Sequence, residues 1–404
     1  MLRINKKKAV LMITGLLLFL ADIVYCSGTE WIWDSGYKMT FPNESNANIL
    51  IWLACVLICV WVFSWLPRYK YYNKSVQVTV IITVLISFVW MLITLTGSNT
   101  IFTIFVRHYS PFMLVFVAAL VIGVDETVYN LAVKISKYIM FLSLVLAIYH
   151  EISFLAQYGW TIRSQSSAIH VYYWEGVMSW LFYVFNTEPK KDVAIARTGT
   201  ILYLVAALLT ASRSNILIAF LCTFLYYKRS YEHRQLKIGA YVKIAITVVI
   251  GILLFGHFVP EMFQSLLDRL GSDSRSGQYE VFFQQVSLSK LFIGQGVGAT
   301  YSFSRFENFA YVDNANLVMA FRYGMIPTIG MLLLLVMALV RSYIRKESRS
   351  WQIVLVWLLV TNGFSVYLNY KITWGYFLLW ITVGHILNNR RMCGRDSIYE
   401  EYKV

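Results

Sequence analysis

Runs of about twenty mostly apolar residues recur along this chain from end to end, and they constrain its fold more than any other feature. A helix needs about 20 such residues to cross a hydrocarbon core of ~30 Å. The segments that qualify are 9–25, 48–66, 76–95, 109–124, 131–150, 168–186, 194–210, 214–227, 241–259, 315–340, 351–369 and 371–388. Lipid offers no partner for a backbone amide, so segments of this kind cross as helices. The expected class is therefore an all-α polytopic membrane protein with about 12 transmembrane helices. Charged residues make up 14% of the chain and hydrophobic ones 58%; a soluble domain carries nearer ~25% charge. Two of the segments, 109–124 and 214–227, are short, which leaves tilted, re-entrant and misbounded readings open.

The larger share of the 35 Lys and Arg falls in alternate gaps between these runs, beginning with Arg3, Lys6, Lys7 and Lys8. Basic residues concentrate on the cytoplasmic side of a membrane protein, so both termini are expected in the cytoplasm. The net charge of +14 is then mostly a matter of topology. No basic domain supports nucleic-acid binding as the alternative. The first apolar run is longer than the core of a signal peptide and no small-x-small site follows it, so it is read as an uncleaved span. With no linker and no evident repeat, residues 1–404 are read as one integral membrane domain.

Five cysteines and six histidines form no spacing that suits a metal or a disulfide framework. No cofactor is expected. Cys55 and Cys59, one helical turn apart in a predicted span, read as small packing residues.

The polar investment lies elsewhere. Residues 260–314 form a long stretch between two spans on what the charge count makes the outer face, yet they carry Arg269, Arg275, Lys290 and Arg305. Cations gathered against the usual rule point to an anionic substrate at the outer leaflet. Arg213 stands in Thr210-Ala-Ser-Arg-Ser-Asn215 between two spans. An arginine costs roughly 2.5–3.5 kcal/mol at the centre of an inserted helix, so it belongs at a boundary or a wet cavity. An interfacial anchor and an anion-binding group both remain open for it.

Residues 261–270 fit a short amphipathic helix on the bilayer surface, with Met262, Leu266 and Arg269 near one face. Gly271 to Gly277 then breaks the chain, and Ser276 is the expected N-cap of a second helix running to Lys290. That puts Arg275 beside a helix N-terminus, where free N–H groups favour an anion. Leu291-Phe-Ile-Gly-Gln-Gly-Val-Gly298 has the look of a nucleotide loop, but without a preceding strand or a Walker lysine it reads better as tight packing against the membrane surface. Asp313 and Asn314 lead into the next span, followed by Arg322 and Gly324. Asp313 is either the cap of that helix or a general base; Glu280, Asp273 and Glu307 are further carboxylates in the same stretch. Glu175, inside an apolar run, is functional or paired to a neighbouring helix. Tyr279, Phe282, Phe283, Tyr301, Phe303, Phe306, Phe309 and Tyr311 crowd the stretch. They suit stacking on sugar rings or covering a lipid tail, with helix packing the expected role for Phe282 and Phe283.

Across residues 195–340 this order of motifs resembles the O-antigen polymerase and O-antigen ligase family, including Wzy-type capsule and exopolysaccharide polymerases. The likeness rests on Ser212-Arg213 at a span boundary, Arg275 in the outer stretch, the 291–298 element, and Asp313-Asn314 opening a span with Gly324 beyond. The resemblance implies a GT-C-like helical fold in the bacterial cytoplasmic (inner) membrane. It also implies a metal-independent glycosyltransferase that moves a glycan from a polyprenyl pyrophosphate, with a flippase and a chain-length regulator as partners alongside the lipid-linked oligosaccharide and the bilayer. Ligases of the family show a His-Asn pair where this chain has Asp313-Asn314, so the resemblance favours a polymerase. In this reading Arg213, Arg275 and Asp313 are catalytic, and Ser212, Arg269, Glu280, Arg305, Asn314, Arg322 and Glu175 bind substrate. A lipid-linked oligosaccharide transporter is the rival class.

Overall fold

The computed structural model describes residues 6–28, 30–32, 38–40, 42–63, 70, 72–94, 110–158, 167–187, 193–210, 212–231, 256–257, 260, 264, 274–296, 299–303, 306–309, 312, 314–345, 351–363 and 372–388. Within them the chain is overwhelmingly helical. Three helices are long and apolar enough to cross a membrane, over Ala9–Cys26, Glu126–Gln157 and Met325–Ile344; shorter apolar helices include Glu44–Ile58, Lys74–Ile86, Val193–Leu209, Arg213–Tyr227 and Trp374–Leu387. Most of the expected span at 241–259 lies outside the described residues. The chain divides into two compact units, one built from 1–21, 45–135 and 278–404, the other from 22–44 and 136–277.

The first unit holds most of α1 (Lys6–Cys26) and α2 (Glu44–Phe63), all of α3 (Lys74–Thr94) and α4 (Ser110–Ile122), and the start of α5 (Glu126–Tyr158). Asp125 caps α5, its carboxylate accepting from the Thr127 and Val128 amides at 2.9 and 3.3 Å. At 33 residues this helix is about 50 Å long, so it outruns the 131–150 expected for it and the hydrocarbon core as well. Its far end belongs to the second unit.

Glycines set the tightest contacts of the first unit. α14 (Trp374–Leu387) is buried all round and packs on α4. A Cβ at Gly123 would stand 2.3 Å from the Ile381 carbonyl oxygen, and one at Gly384 would stand 2.2 Å from that of Leu120. Only hydrogen fits, which lets the two backbones meet as small residues do in membrane helix pairs. The Phe116 and Trp380 rings meet edge to face at 4.4 Å beside this contact. The Arg341 guanidinium, from α12 (Met325–Arg345), donates to the Leu387 and Asn388 carbonyls at 2.9 and 3.2 Å, closing the C-terminus of α14. α13 (Trp351–Gly363) completes this helical layer.

In the second unit α6 (Ser167–Asn186) is the central helix, buried from Ala168 to Phe185 except at His170. Gly176 lets Leu144 of α5 approach it, and Gly199 of α7 (Val193–Leu209) admits Met140 and Trp180. The Trp180 indole donates to Thr200 Oγ1 at 3.2 Å, and that hydroxyl donates to the Ala196 carbonyl at 2.7 Å. α8 (Arg213–Tyr231) runs back against α7. A short hairpin pairs β1 (Glu30–Ile32) with β2 (Lys38–Thr40) antiparallel.

Two expectations are corrected. The span read as 315–340 is two helices, α11 (Ala315–Tyr323) and α12, with Gly324 between them at φ +90. An unbroken helix would lose the Pro327 N–H and press its ring on the Tyr323 carbonyl, so the chain breaks and restarts with Pro327 in the first turn, where a missing donor costs nothing. The helix expected from Ser276 to Lys290 is likewise two: α9 (Ser274–Gln285) and α10 (Leu288–Ile293). Ser276 lies inside α9, and Ser287 is the residue that caps α10, accepting from the Lys290 amide at 3.4 Å.

Candidate functional site

The candidate residues fall into two groups, one in each unit. In the second unit they surround the turn from α7 to α8. Thr210 extends α7 by one residue, its amide donating to the Ala206 carbonyl at 3.1 Å and its hydroxyl to that of Ala207 at 2.7 Å. The same hydroxyl accepts from Asn215 Nδ2 at 3.2 Å, and the Tyr173 hydroxyl of α6 reaches the Asn215 carbonyl at 3.3 Å. The Ser212 and Ser214 hydroxyls lie 2.9 Å apart. Thr210, Ser214 and Asn215 are buried, while Ser212 and Arg213 are half-buried. The turn is thus held from both sides and from α6, and it delivers Arg213 as the first residue of α8.

That position runs against local electrostatics. The N-terminus of a helix carries partial positive charge and favours anions, and no acidic residue stands in the first turn of α8 to offset Arg213. A guanidinium at a helix N-terminus makes a strong local field for a phosphate.

Glu175 is buried on α6. Residues two apart on a helix do not share a face, so it leaves α6 on a different side from Tyr173. Sequence reading singled out Glu175 as an acid inside an apolar run; Asp22, in the run 9–25, is buried as well, and the structure adds Glu151, fully buried on α5. The signal was available, because the apolar pattern continues past 150 through Ile152, Phe154 and Leu155. Arg275 is the second residue of α9 by its backbone, and its side chain lies outside the described residues. Arg269, with nearly all of the amphipathic helix expected at 261–270, lies outside them too.

In the first unit, residues 278–324 form a folded substructure with a core of its own. Phe282, Val286, Leu291, Ala299, Tyr301, Val312, Val318, Ala320 and Phe321 pack together, with Tyr279, Phe303 and Phe309 against them. Phe282 meets Tyr301 and Phe321 edge to face at 5.1 and 5.2 Å. β3 (Tyr301–Phe303) pairs with β4 (Phe306–Phe309), and Gln285 grips the hairpin through the Ser302 backbone, donating to its carbonyl at 2.7 Å and accepting from its amide at 2.9 Å. Aromatic side chains considered for sugar stacking are therefore largely the core of this substructure. Among those whose side chains are described, Phe283 is the exposed exception.

The glycine-rich element ties this substructure together. Gly294 and Gly296 take positive φ, and the Gln295 and Gly296 amides donate to the Phe321 and Arg322 carbonyls at 2.7 and 3.1 Å. The loop thereby closes the C-terminus of α11. Gln295 and Gly296 thus meet helix backbone, while Phe292 and Ile293 of the same element stay exposed. Arg322, buried in the last turn of α11, sits where a cation suits the dipole. Asn314 is the N-cap of α11, its side chain accepting from the Leu317 amide at 3.0 Å. The capping role offered to Asp313 thus falls to its neighbour. Glu280 is exposed on α9 and accepts from Gln284 at 3.4 Å. Arg305 and Asp313 lie outside the described residues, as do Asp273 and Tyr311; Glu307 is on β4.

The structure therefore places Ser212 beside Arg213 at the start of α8, and Asn314 and Arg322 at opposite ends of α11. Among the described residues no group of three or more His, Cys, Asp and Glu is placed to hold a metal ion. In comparisons with known proteins, no family model matches the chain and no curated protein matches it.

Proposed function

We propose that the chain is a polymerase of polysaccharide repeat units, of the capsule or exopolysaccharide kind. It would pass a growing glycan from polyprenyl pyrophosphate to a lipid-linked repeat unit at the outer face of a bacterial cytoplasmic membrane. The proposal includes twelve spans in a GT-C-like arrangement, both termini in the cytoplasm, and residues 260–314 outside. The observation that carries it is Arg213, a guanidinium opening an apolar helix against the helix dipole, in a turn pinned by buried hydrogen bonds. Structure built to hold a cation in an unfavourable place is support for an anionic ligand there.

The chemistry follows from the compartment. Outside the membrane no nucleotide drives glycosidic bond formation, so the donor arrives already activated. The acceptor hydroxyl oxygen bonds to the anomeric carbon of the donor sugar. The bond from that carbon to the pyrophosphate oxygen breaks, and its electron pair leaves on the pyrophosphate. The hydroxyl proton passes to a carboxylate, for which Asp313 is the first candidate. Arg213 and Arg275 meet the negative charge that grows on the leaving group, through forks that bind phosphate bidentately and stay charged. Ser212, Arg269, Glu280, Arg305, Asn314 and Glu175 complete the proposed substrate contacts, while Arg322, which the resemblance counts with them, is assigned to the end of α11. A flippase and a chain-length regulator are the proposed protein partners.

One observation favours a second reading, a transporter of lipid-linked oligosaccharide. Asp22, Glu151 and Glu175 are all buried in the second unit, and intramembrane acids often mark transport paths. A ligase-type transferase remains the variant within the first reading. Purified protein in vesicles, supplied with lipid-linked repeat unit, separates these: lengthened lipid-linked glycan supports the polymerase, movement of unchanged repeat unit between leaflets supports the transporter, and neither product removes both.

A further inference from the structure

The core of residues 278–324 leaves one apolar surface uncovered. On α10, Leu291 points into that core, while Leu288, Phe292 and Ile293 stay 73%, 54% and 57% exposed; Phe283 of α9 is 48% exposed. Leu288 and Phe292 are one turn apart and share a face. Large apolar side chains exposed together mark a surface that something covers.

The depth of this surface is set by Gly324. A Cβ there would stand 2.9 Å from both the Phe292 and Ile293 carbonyl oxygens, so the end of α10 lies directly on the residue that precedes α12. The Gln295 and Gly296 bonds to the end of α11 hold it there. The spanning part of α12, Met325–Ile344, has 20 residues. At 1.5 Å per residue it covers about 30 Å, the thickness of the hydrocarbon core with nothing to spare. Met325 must then lie at the boundary of that core, and Phe292 and Ile293 lie at the same level. Exposed Lys290, on the same short helix, supplies a cation at headgroup height.

The geometry points to α10 as an interfacial foot: Leu288, Phe292 and Ile293 insert at the boundary between headgroups and acyl chains, with Lys290 on the anionic headgroups. Phe283 extends the apolar surface onto α9. The occupant is bilayer phospholipid. This rests on the membrane-spanning reading of α12 and is independent of the polymerase chemistry.

The test uses the full chain in vesicles of phosphatidylcholine and phosphatidylglycerol containing no polyprenyl lipid. A nitroxide is carried on a genetically encoded residue at position 288, 292 or 284 in turn, leaving the native cysteines in place. Gln284, exposed on α9, serves as the aqueous reference. The ratio of collisions with oxygen to collisions with a water-soluble nickel chelate should be several-fold higher at 288 and 292 than at 284. In a Phe292→Asp chain, the label at 288 should shift towards nickel exposure. Equal ratios at all three positions would overturn the inference. So would shielding of 288 and 292 from both reagents, which would mean a protein cover, or oxygen exposure gained only when polyprenyl phosphate is added, which would mean a substrate tail. No glycan is present, so failure here leaves the polymerase proposal standing, and failure of polymerisation leaves this result standing.

Discussion

Arg213 and Arg322 look alike in the sequence, each a lone arginine in or beside an apolar run, but the two helix ends treat them oppositely. Arg322 lies in the last turn of α11, where partial negative charge favours a cation, and its backbone carbonyl is taken up by the Gly296 amide. Arg213 opens α8, where the same field opposes it and the first turn of the helix holds no acidic residue. One cation is explained by its helix. The other is a cost to its helix, and the Thr210–Asn215 network keeps it there regardless. Where a charge stands against its local field, structure alone does not account for it.

The largest effect should follow from removing the unexplained cation. Arg213→Ala relieves the helix N-terminus of a misplaced charge, so the amount of folded, inserted protein should hold or rise slightly. Polymer should nevertheless disappear, and single lipid-linked repeat units should accumulate. Arg213→Lys should restore little, because a point charge replaces a planar fork. Extraction of lipid-linked intermediates from cells carrying each variant reads this directly. Unchanged chain lengths would place Arg213 with the interfacial anchors and end the contrast.

The positions of most helices were legible because apolar runs are long and uninterrupted: α6, α7 and α14 lie within a few residues of their expected bounds. The break at Gly324 was hidden because the residues on either side are apolar and the run reads through it; Pro327 three residues on was the available signal. The core of 278–324 was hidden for a different reason. Its aromatic residues come from α9, the β3–β4 hairpin and α11, so no single period links them, and most of them alone look like exposed rings available to a sugar. Glu151 was missed because the expected span stopped one residue short of it. Ser212 and Arg213 were legible as a boundary pair, but the opposition between Arg213 and its helix became visible only once α8 was seen to begin there.

The explained cation should behave as a stability element. Gly324→Val puts a branched side chain at φ +90, about 1–3 kcal/mol of backbone strain, and drives its Cβ towards two carbonyl oxygens at 2.9 Å. The end of α11 and the loop that closes it should loosen together, seen as faster amide exchange at Gln295 and Gly296 and a lower thermal midpoint. Arg322→Gln keeps the size and some donors while removing the charge, at a cost of up to about 2 kcal/mol from the helix-terminus interaction. Polymer made per folded molecule should be preserved in Arg322→Gln. If it vanishes while stability holds, Arg322 belongs with Arg213 and the distinction drawn from the helix ends fails.

The mildest change tests the other end of α11. Asn314 stands where the resemblance places a substrate contact, yet its side chain accepts from the Leu317 amide as an N-cap. If capping is its whole role, Asn314→Ala should cost about 1 kcal/mol, and Asn314→Asp or Asn314→Ser, equally good caps, should cost almost nothing. A substrate contact predicts a different order, since Asp would set a carboxylate against a pyrophosphate and Ser would shorten the reach, so both should raise the apparent KM for lipid-linked repeat unit. Measuring thermal midpoint and KM on the same three variants separates the roles. Midpoints that follow capping rank, with KM unmoved, assign Asn314 to the helix and concentrate the search for substrate contacts on the Arg213 turn and the Arg275 end of α9.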